Sequence, residues 1–504
     1  MKALKCACLN SKLHIIDIES TLLRALPGFE IVGLASVTIK ESVTRVKSAL
    51  AALRDFTLPA MKIIINLSPS DVKKDGSHFD LAIALLVLLQ KERFDSDYFV
   101  FGELGLDGRL RSSAELFSVL LFLSTHVKSA KILLPKDIAL RAAMIPNFEV
   151  YAVENLAQAR DFFLNDEFKI SCKVDATHPI FDNVIEIAGR KFVPNLHFKL
   201  DFIDIKGQER AKRASIIAAA GMHNILFEGS PGCGKSMSAK RLPYIMPPQS
   251  LEEILLASAY ESLNSNSSDF SAIRAFRSPH HTSTRSSIFG GGSSAAKIGE
   301  VALANGGVLF FDEFPYFGKQ ILESLREPLE DYKINISRVN SKVSYDTKFL
   351  FVAAMNPCPC GNAFSKNNIC TCSDKEIAKY KNVISGPILD RIDIYCAMGE
   401  INDTDVPSYS SKQMSAMVLN AFKNQIERGQ SELNGKLCDF DIAKFCTLEN
   451  EATEILSKAI TNYHLSQRGR NKILKVARTI ADLRDAKFIS KADIIESLSY
   501  RMKR

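Results

Sequence analysis

The sequence predicts an α/β protein in three parts: an N-terminal α/β domain, a central doubly wound domain built around a glycine loop, and a C-terminal domain of helices alone. Three observations predict it. Residues 1–165 alternate short β-rich stretches with helix-length amphipathic ones, residues 201–400 run strand, glycine loop, helix and strand again, and residues 401–504 keep apolar positions at helical period. A chain of 504 residues also exceeds one ordinary core, since domains average roughly 150 residues.

In the first part, strands are expected at 31–34, 62–67, 99–102, 130–135 and 149–153, and helices at 40–54, 79–90 and 114–123. Residues 166–200 read as a linker, polar and punctuated by Pro179 and Pro194. The central part then predicts a helix at 208–220, a strand at 224–228, the glycine loop and its helix, a long insertion, a strand at 308–311, a hairpin at 333–348 and a strand at 349–355. Helices follow at 410–428, 449–464 and 470–485, with a last one after Ser490, where Ser-Lys-Ala-Asp makes a cap.

Composition narrows the class. Apolar residues at 46% and charged ones at 24% support a buried core and argue against disorder. A net charge of +7 permits a nucleic-acid partner without requiring one. The first residues lack the apolar centre of a secretory signal and no run approaches the ~18 apolar residues of a spanning helix, so a cytoplasmic protein without membrane contact is expected. Of the eleven cysteines, those outside 358–372 are scattered along the chain, as at Cys6, Cys172, Cys233 and Cys438, which fits reduced thiols better than a disulfide framework.

The glycine loop reads Gly229, Ser230, Pro231, Gly232, Cys233, Gly234, Lys235, Ser236. It follows a strand and opens a helix, the context a phosphate loop requires. Glycines let successive N–H groups turn toward phosphates, Lys235 neutralises their oxygens and Ser236 ligates magnesium. The apolar strand 308–311 ends in Asp312 and Glu313; Asp312 is expected to hold the magnesium ion and Glu313 to polarise the attacking water. ATP and magnesium are therefore the expected cofactors. Asn356, ending the next strand, can orient that water or sense the γ-phosphate. Arg391 is placed to enter a neighbouring subunit's site as an arginine finger, with a surface ion pair as the alternative. Arg468 is expected to reach the γ-phosphate of its own subunit, with Arg470 competing for the role.

Cys358, Cys360, Cys370 and Cys372 form two Cys-x-Cys pairs. Four thiolates suit tetrahedral structural zinc; a loop of unliganded thiols is the other reading. His280 and His281, expected to point apart in extended chain, are assigned to a DNA or interface role rather than to metal. Arg274, Arg277, Arg285 and Lys297, with Arg338 and Lys342 of the hairpin, are either solvated loop charge or sequence-independent DNA contacts.

Taken together, Phe276-Arg-Ser-Pro-His-His-Thr282, Gly290-Gly-Gly292, Gly299-Glu-Val-Ala-Leu-Ala-Asn-Gly-Gly-Val308, Leu325-Arg-Glu-Pro-Leu-Glu330 and Met355-Asn-Pro-Cys-Pro-Cys-Gly361 resemble the magnesium-chelatase-like AAA+ ATPases, and within them the competence-associated ComM (YifB) family. The resemblance covers nearly the whole chain. It implies a central AAA+ domain and a homo-oligomeric ring, a hexamer, that hydrolyses ATP to drive branch migration on recombining DNA during natural transformation. The implied DNA is branched or single-stranded and bound without regard to sequence. It also implies an N-terminal Lon-protease-like fold. His78 stands where that protease's serine would lie, Ser77 is one position off, and 117–119 offers no lysine, so the domain is expected to be non-catalytic, a scaffold or DNA-handling module. The alternative function is a chelatase-type ATPase that remodels a protein partner, although no Asp-x-Ser-x-Ser metal-binding motif is present.

Overall fold

The computed structural model describes residues 2–10, 12–264, 269–291, 298–337, 342–365, 368–402 and 404–501. The chain divides into two compact units, Met1–Asp182 with Ser258–Phe270, and Asn183–Ala257 with Ser271–Arg504. No helix among the described residues is long and apolar enough to cross a membrane.

The first unit is an eight-stranded mixed sheet in the order Lys173–Val174, Phe148–Val153, Ala130–Pro135, Phe99–Val100, Lys2–Leu9, Leu13–Leu23, Lys62–Ser68, Gly28–Val32. Its two longest strands, Leu13–Leu23 and Lys2–Leu9, form a hairpin that the strand assignments above leave out. In the first of them Ile16, Ile18 and Ser20 are buried while Asp17 is exposed, the alternation of a strand with one covered face. The helix Asp80–Leu88 is buried through Val87, because its sequence is apolar on all sides after Asp80. The Asp80 carboxylate itself takes two bonds from Arg45, at 2.6 and 3.2 Å. Residues 258–270 belong here as well: the Ser118 hydroxyl donates to the Ser262 carbonyl at 3.3 Å, and Phe270 packs 5.4 Å from His178 and 5.6 Å from Phe181.

The stretch 166–200, read above as a linker, carries regular structure. The helix Asp166–Ser171 and the strand Lys173–Val174 complete the first unit. Ile185–Ile187 and Arg190–Val193 form a hairpin that adds Gln249–Ser250 in the second unit. Its turn, Ala188 (φ 47°) and Gly189 (φ 75°), places both residues in the left-handed region without the Asn-Gly or Asp-Gly pair that usually marks such a turn.

The second unit contains a five-stranded all-parallel sheet in the order Phe276–Arg277, Val308–Phe311, Leu350–Met355, Ile225–Gly229, Ile394–Met398. The three central strands are wholly buried, which is why they read as unbroken apolar runs. The helices Ser411–Glu427 and Gln467–Leu483 send Met414, Val418, Ala421, Val476 and Ile480 into the same core as Phe227, Phe310 and Val352. With Asn450–Asn462 and Lys491–Ser499, the C-terminal helices also enclose a smaller core around Leu456, Ile473, Ile489 and Ile494.

Two buried histidines make stability pH-dependent. His223 Nε2 lies 2.7 Å from Thr479 Oγ1 and His78 Nε2 lies 2.9 Å from the Ala7 carbonyl, and burial pushes each imidazole down to about 4. Unfolded histidine titrates near 6.5, so between these values the unfolded chain binds more protons and acid favours unfolding. Each site therefore contributes stability that is complete above about pH 6.5 and falls as pH drops through about 4, a loss of about 3 kcal/mol per site. Thermal melts at pH 7 and pH 4.5 are expected to show a smaller acid-induced drop for His223→Gln than for wild type; equal drops would refute the assignment.

Candidate nucleotide-binding site

The loop 229–236 leaves the central strand Ile225–Gly229 and turns into the helix Lys235–Ile245. Gly232 (φ 81°) and Gly234 (φ 95°) take left-handed conformations that a side chain would resist. Gly229 is needed for close approach, since a Cβ there would sit 2.7 Å from Cys233 Sγ and 2.8 Å from the Met398 carbonyl. The Ser230 hydroxyl is buried without a partner, and the helix N-terminus faces the same loop. A glycine loop opening a helix in this way can present backbone N–H donors to an anion.

Lys235 is buried, and its Nζ donates to the carbonyls of Gly229 at 2.6 Å and Ser230 at 2.9 Å and to Asn356 Oδ1 at 3.1 Å. Burial lowers its pKa, against the opposing fields of Cys233 and Asp312. The Ser236 hydroxyl donates to Asp312 Oδ2 at 2.7 Å. Parallel pairing of Leu350–Met355 with both Ile225–Gly229 and Val308–Phe311 explains the convergence: each strand delivers its C-terminal residues to the same end of the sheet. The oxygens of Ser236 and Asp312 fit a magnesium ion, whose hard charge selects such donors.

Glu313 adopts φ 52°, rare for a residue with a side chain, and its amide donates to Asp312 Oδ1 at 3.0 Å. Its half-exposed carboxylate lies 3.4 Å from His281 Nδ1. This contact corrects the expectation for the histidine pair. Residues 280–283 form a turn, closed by the bond from Ser283 N to the His280 carbonyl at 2.9 Å, so the two rings lie 4.2 Å apart rather than pointing away from each other. The sequence holds no local signal of this; the contact follows from the pairing of Phe276–Arg277 with the strand Val308–Phe311, which precedes Asp312.

Both arginines meet a residue that sequence reasoning missed. The carboxylate of Glu330 is bound by Arg391 Nη2 on one oxygen and by Arg468 Nη2 on the other. Arg391 is buried to 9% exposure and also donates to the Pro387 carbonyl at 2.6 Å. They line a cleft of about 330 Å³ with Asp390, Lys472 and Lys475, and no residue of 229–236 borders it. Arg468 is thus not brought to its own phosphate loop; its helix starts beside Glu330 instead. The Arg470 amide donates to the Ser466 carbonyl at 2.9 Å within that first helical turn.

The four cysteine sulfurs lie within 4.8 Å of one another, with Cys358 Sγ 3.3 Å from Cys360 Sγ and 3.6 Å from Cys370 Sγ. The Cys360 amide points at Cys372 Sγ at 3.4 Å. A tetrahedral ion with bonds of about 2.3 Å sets its sulfurs about 3.8 Å apart, so the set can hold a metal. Backbone amides of Asn362 and Thr371 pull the Cys360 thiol down to about 5.

Among the basic loop residues, Arg274 is structural. It is 4% exposed and bonds Glu253, the carbonyls of Pro247 and Pro248, and the Gly306 carbonyl. Arg277 approaches Glu300 at 3.9 Å, and Arg285, at an exposed helix start, reaches Ser324 at 3.0 Å. Gly292, Lys297 and Arg338 lie outside the described residues, as does the side chain of Lys342.

Three family models match the chain in succession. Residues 18–138 match the family described as subunit ChlI of Mg-chelatase, residues 201–406 magnesium chelatase, subunit ChlI, and residues 408–501 the ChlI C-terminal family. The competence protein ComM of Haemophilus influenzae is 36% identical over 98% of this chain and 96% of its own length. An uncharacterized protein of Escherichia coli, YifB, is 36% identical over 96% of this chain and 94% of its own. A shorter match, 26% identical over 37% of this chain and 20% of the other, is to the DNA replication licensing factor mcm2 of Xenopus laevis. With family models matching residues 18–138, 201–406 and 408–501, and two relatives 36% identical over 98% and 96% of its length, the chain belongs to the magnesium-chelatase-like ComM/YifB family.

Proposed function

We propose that the protein is a magnesium-dependent AAA+ ATPase, a hexameric cytoplasmic ring that moves on DNA and promotes branch migration in homologous recombination during natural transformation. The observation that carries the ATPase reading is the meeting of Lys235, Ser236, Asp312 and Asn356 at one end of the parallel sheet, with Glu313 beside them. Lys235 leaves its loop carbonyls for the β and γ oxygens, and the 229–234 amides cradle the phosphates. Bound between Ser236 and Asp312, magnesium would neutralise the charge that develops on the phosphates. Glu313 polarises the attacking water and Asn356 orients it. Arg391 and Arg468, held as a pair by Glu330, act on the nucleotide of a neighbouring copy, which is how they contribute without lying near their own loop. The cysteine set holds structural zinc, since four protein ligands leave no position for water.

The DNA reading rests on relatives, one named a competence protein and another a replication licensing factor, and on exposed loop charge such as Arg285. The N-terminal unit serves as a Lon-like scaffold without protease chemistry: His78 is a core residue bonded to a backbone carbonyl. The test is ATP turnover with magnesium, with and without a four-way DNA junction, alongside junction migration. Stimulation together with migration, both absent in Lys235→Ala, supports the motor. Lys235→Ala itself is expected to weaken nucleotide binding by roughly a hundredfold or more, measured by titration, because it removes the charge facing the phosphates. Turnover indifferent to a junction that the protein does not bind would favour remodelling of a protein partner, the reading that the chelatase-subunit match supports.

A further inference from the structure

We propose that the four-cysteine cluster is a metal-held brace for the phosphate loop, so that ATP affinity depends on the metal. The inference rests on the nucleotide reading of 229–236.

The cluster touches the loop through one end of its segment. Cys358, fully buried, lies two residues past Asn356, and the chain then turns at Gly361 (φ 82°), whose amide donates to the Cys358 carbonyl at 3.0 Å. A Cβ at Gly361 would sit 2.8 Å from both Cγ and Cδ of Pro231. The backbone of the cysteine segment is therefore pressed directly on the loop's proline.

The other end is anchored to the strand that feeds the loop. Ser373 follows Cys372 and caps the helix Asp374–Lys381 with a reciprocal bond to Glu376. Lys381 Nζ then reaches Glu228 Oε1 at 2.8 Å. Glu228 is wholly buried, immediately precedes Gly229, and accepts on its other oxygen from the Tyr395 hydroxyl at 2.6 Å. One residue back, Tyr380 packs 5.8 Å from Tyr316, close behind Glu313.

Among the described residues between the cysteine pairs, Phe364 and Ile369 are 42% and 89% exposed, so neither buries an apolar side chain that would hold the segment's shape. A closed set of four thiolates supplies the missing cross-link, and such metal binding is folding free energy for the segment it ties. A phosphate loop works only when its amides converge, and small misplacements of such a site are costly.

The test uses the full-length protein, its zinc content by mass spectrometry, and the Kd of a fluorescent ATP analogue in the presence of magnesium. One zinc per chain is expected, and a chelator that strips zinc but spares magnesium should raise Kd about tenfold, reversed by added zinc. Gly361→Ala, which pushes a methyl into Pro231, and Lys381→Met, which releases Glu228, should each weaken nucleotide binding while keeping the zinc. A Kd unchanged after zinc is stripped, or a chain that takes up no zinc, overturns the brace and leaves the ATPase reading standing. A zinc-loaded wild type that binds no nucleotide overturns both.

Discussion

Replacing Arg391 by alanine is expected to cut ATP turnover by roughly a thousandfold or more while leaving nucleotide binding to the same copy nearly unchanged, as for arginines that stabilise phosphoryl-transfer charge. The geometry behind this is the cleft it shares with Arg468, which no residue of 229–236 borders. On the proposed reading, an arginine so placed acts on a second copy's nucleotide. The sharper measurement mixes two inactive variants: Arg391→Ala has an intact loop, and Lys235→Ala has intact arginines. In a mixed ring, the arginines of the second reach the loop of the first, and part of the turnover returns. No recovery in rings shown to be mixed would mean that Arg391 serves its own subunit or only the fold. Arg391→Ala leaves Glu330 paired with Arg468, so misfolding is not the expected cause of any loss.

Glu313→Gln is expected to bind ATP as wild type does and to lose turnover by roughly a hundred- to ten-thousandfold, the range for removing a positioned general base. Glutamine keeps the shape and the hydrogen-bond reach but cannot take a proton. Comparable hydrolysis by the variant would remove Glu313 from the role and turn attention to its neighbour, His281, 3.4 Å away. Ser236 and Asp312 are bonded to each other and not to Glu313's carboxylate, so retained binding is a fair control that the magnesium side of the site is intact.

How much was legible before folding depends on the distance over which each feature is specified. The phosphate loop, the strand ending in Asp312 and Glu313, and the strand ahead of Asn356 are written locally, as glycine spacing and unbroken apolar runs, and the parallel sheet brings their ends together without further instruction. The C-terminal helices are likewise plain in their period. The stretch 166–200 reads as a linker in sequence because its elements are short and its turn, Ala188-Gly189, has a weak signature.

By itself, then, the sequence determined the glycine loop between strand and helix, the apolar strands ending at Asp312 and Asn356, the helical C-terminal region and the cysteine spacing, because each is set by neighbours within a few residues. Tertiary structure alone decided which charges are spent inside the protein and which meet across it. Arg274 looks like a loop charge until four partners bury it. Glu330 has no local mark as the carboxylate that gathers Arg391 and Arg468, from 61 and 138 residues away. His281 beside Glu313, Gly361 against Pro231, and residues 258–270 within the first unit are of the same kind. Such contacts depend on where the whole backbone runs, and hydrophobic periodicity constrains the faces of elements but not which distant polar groups they bring together.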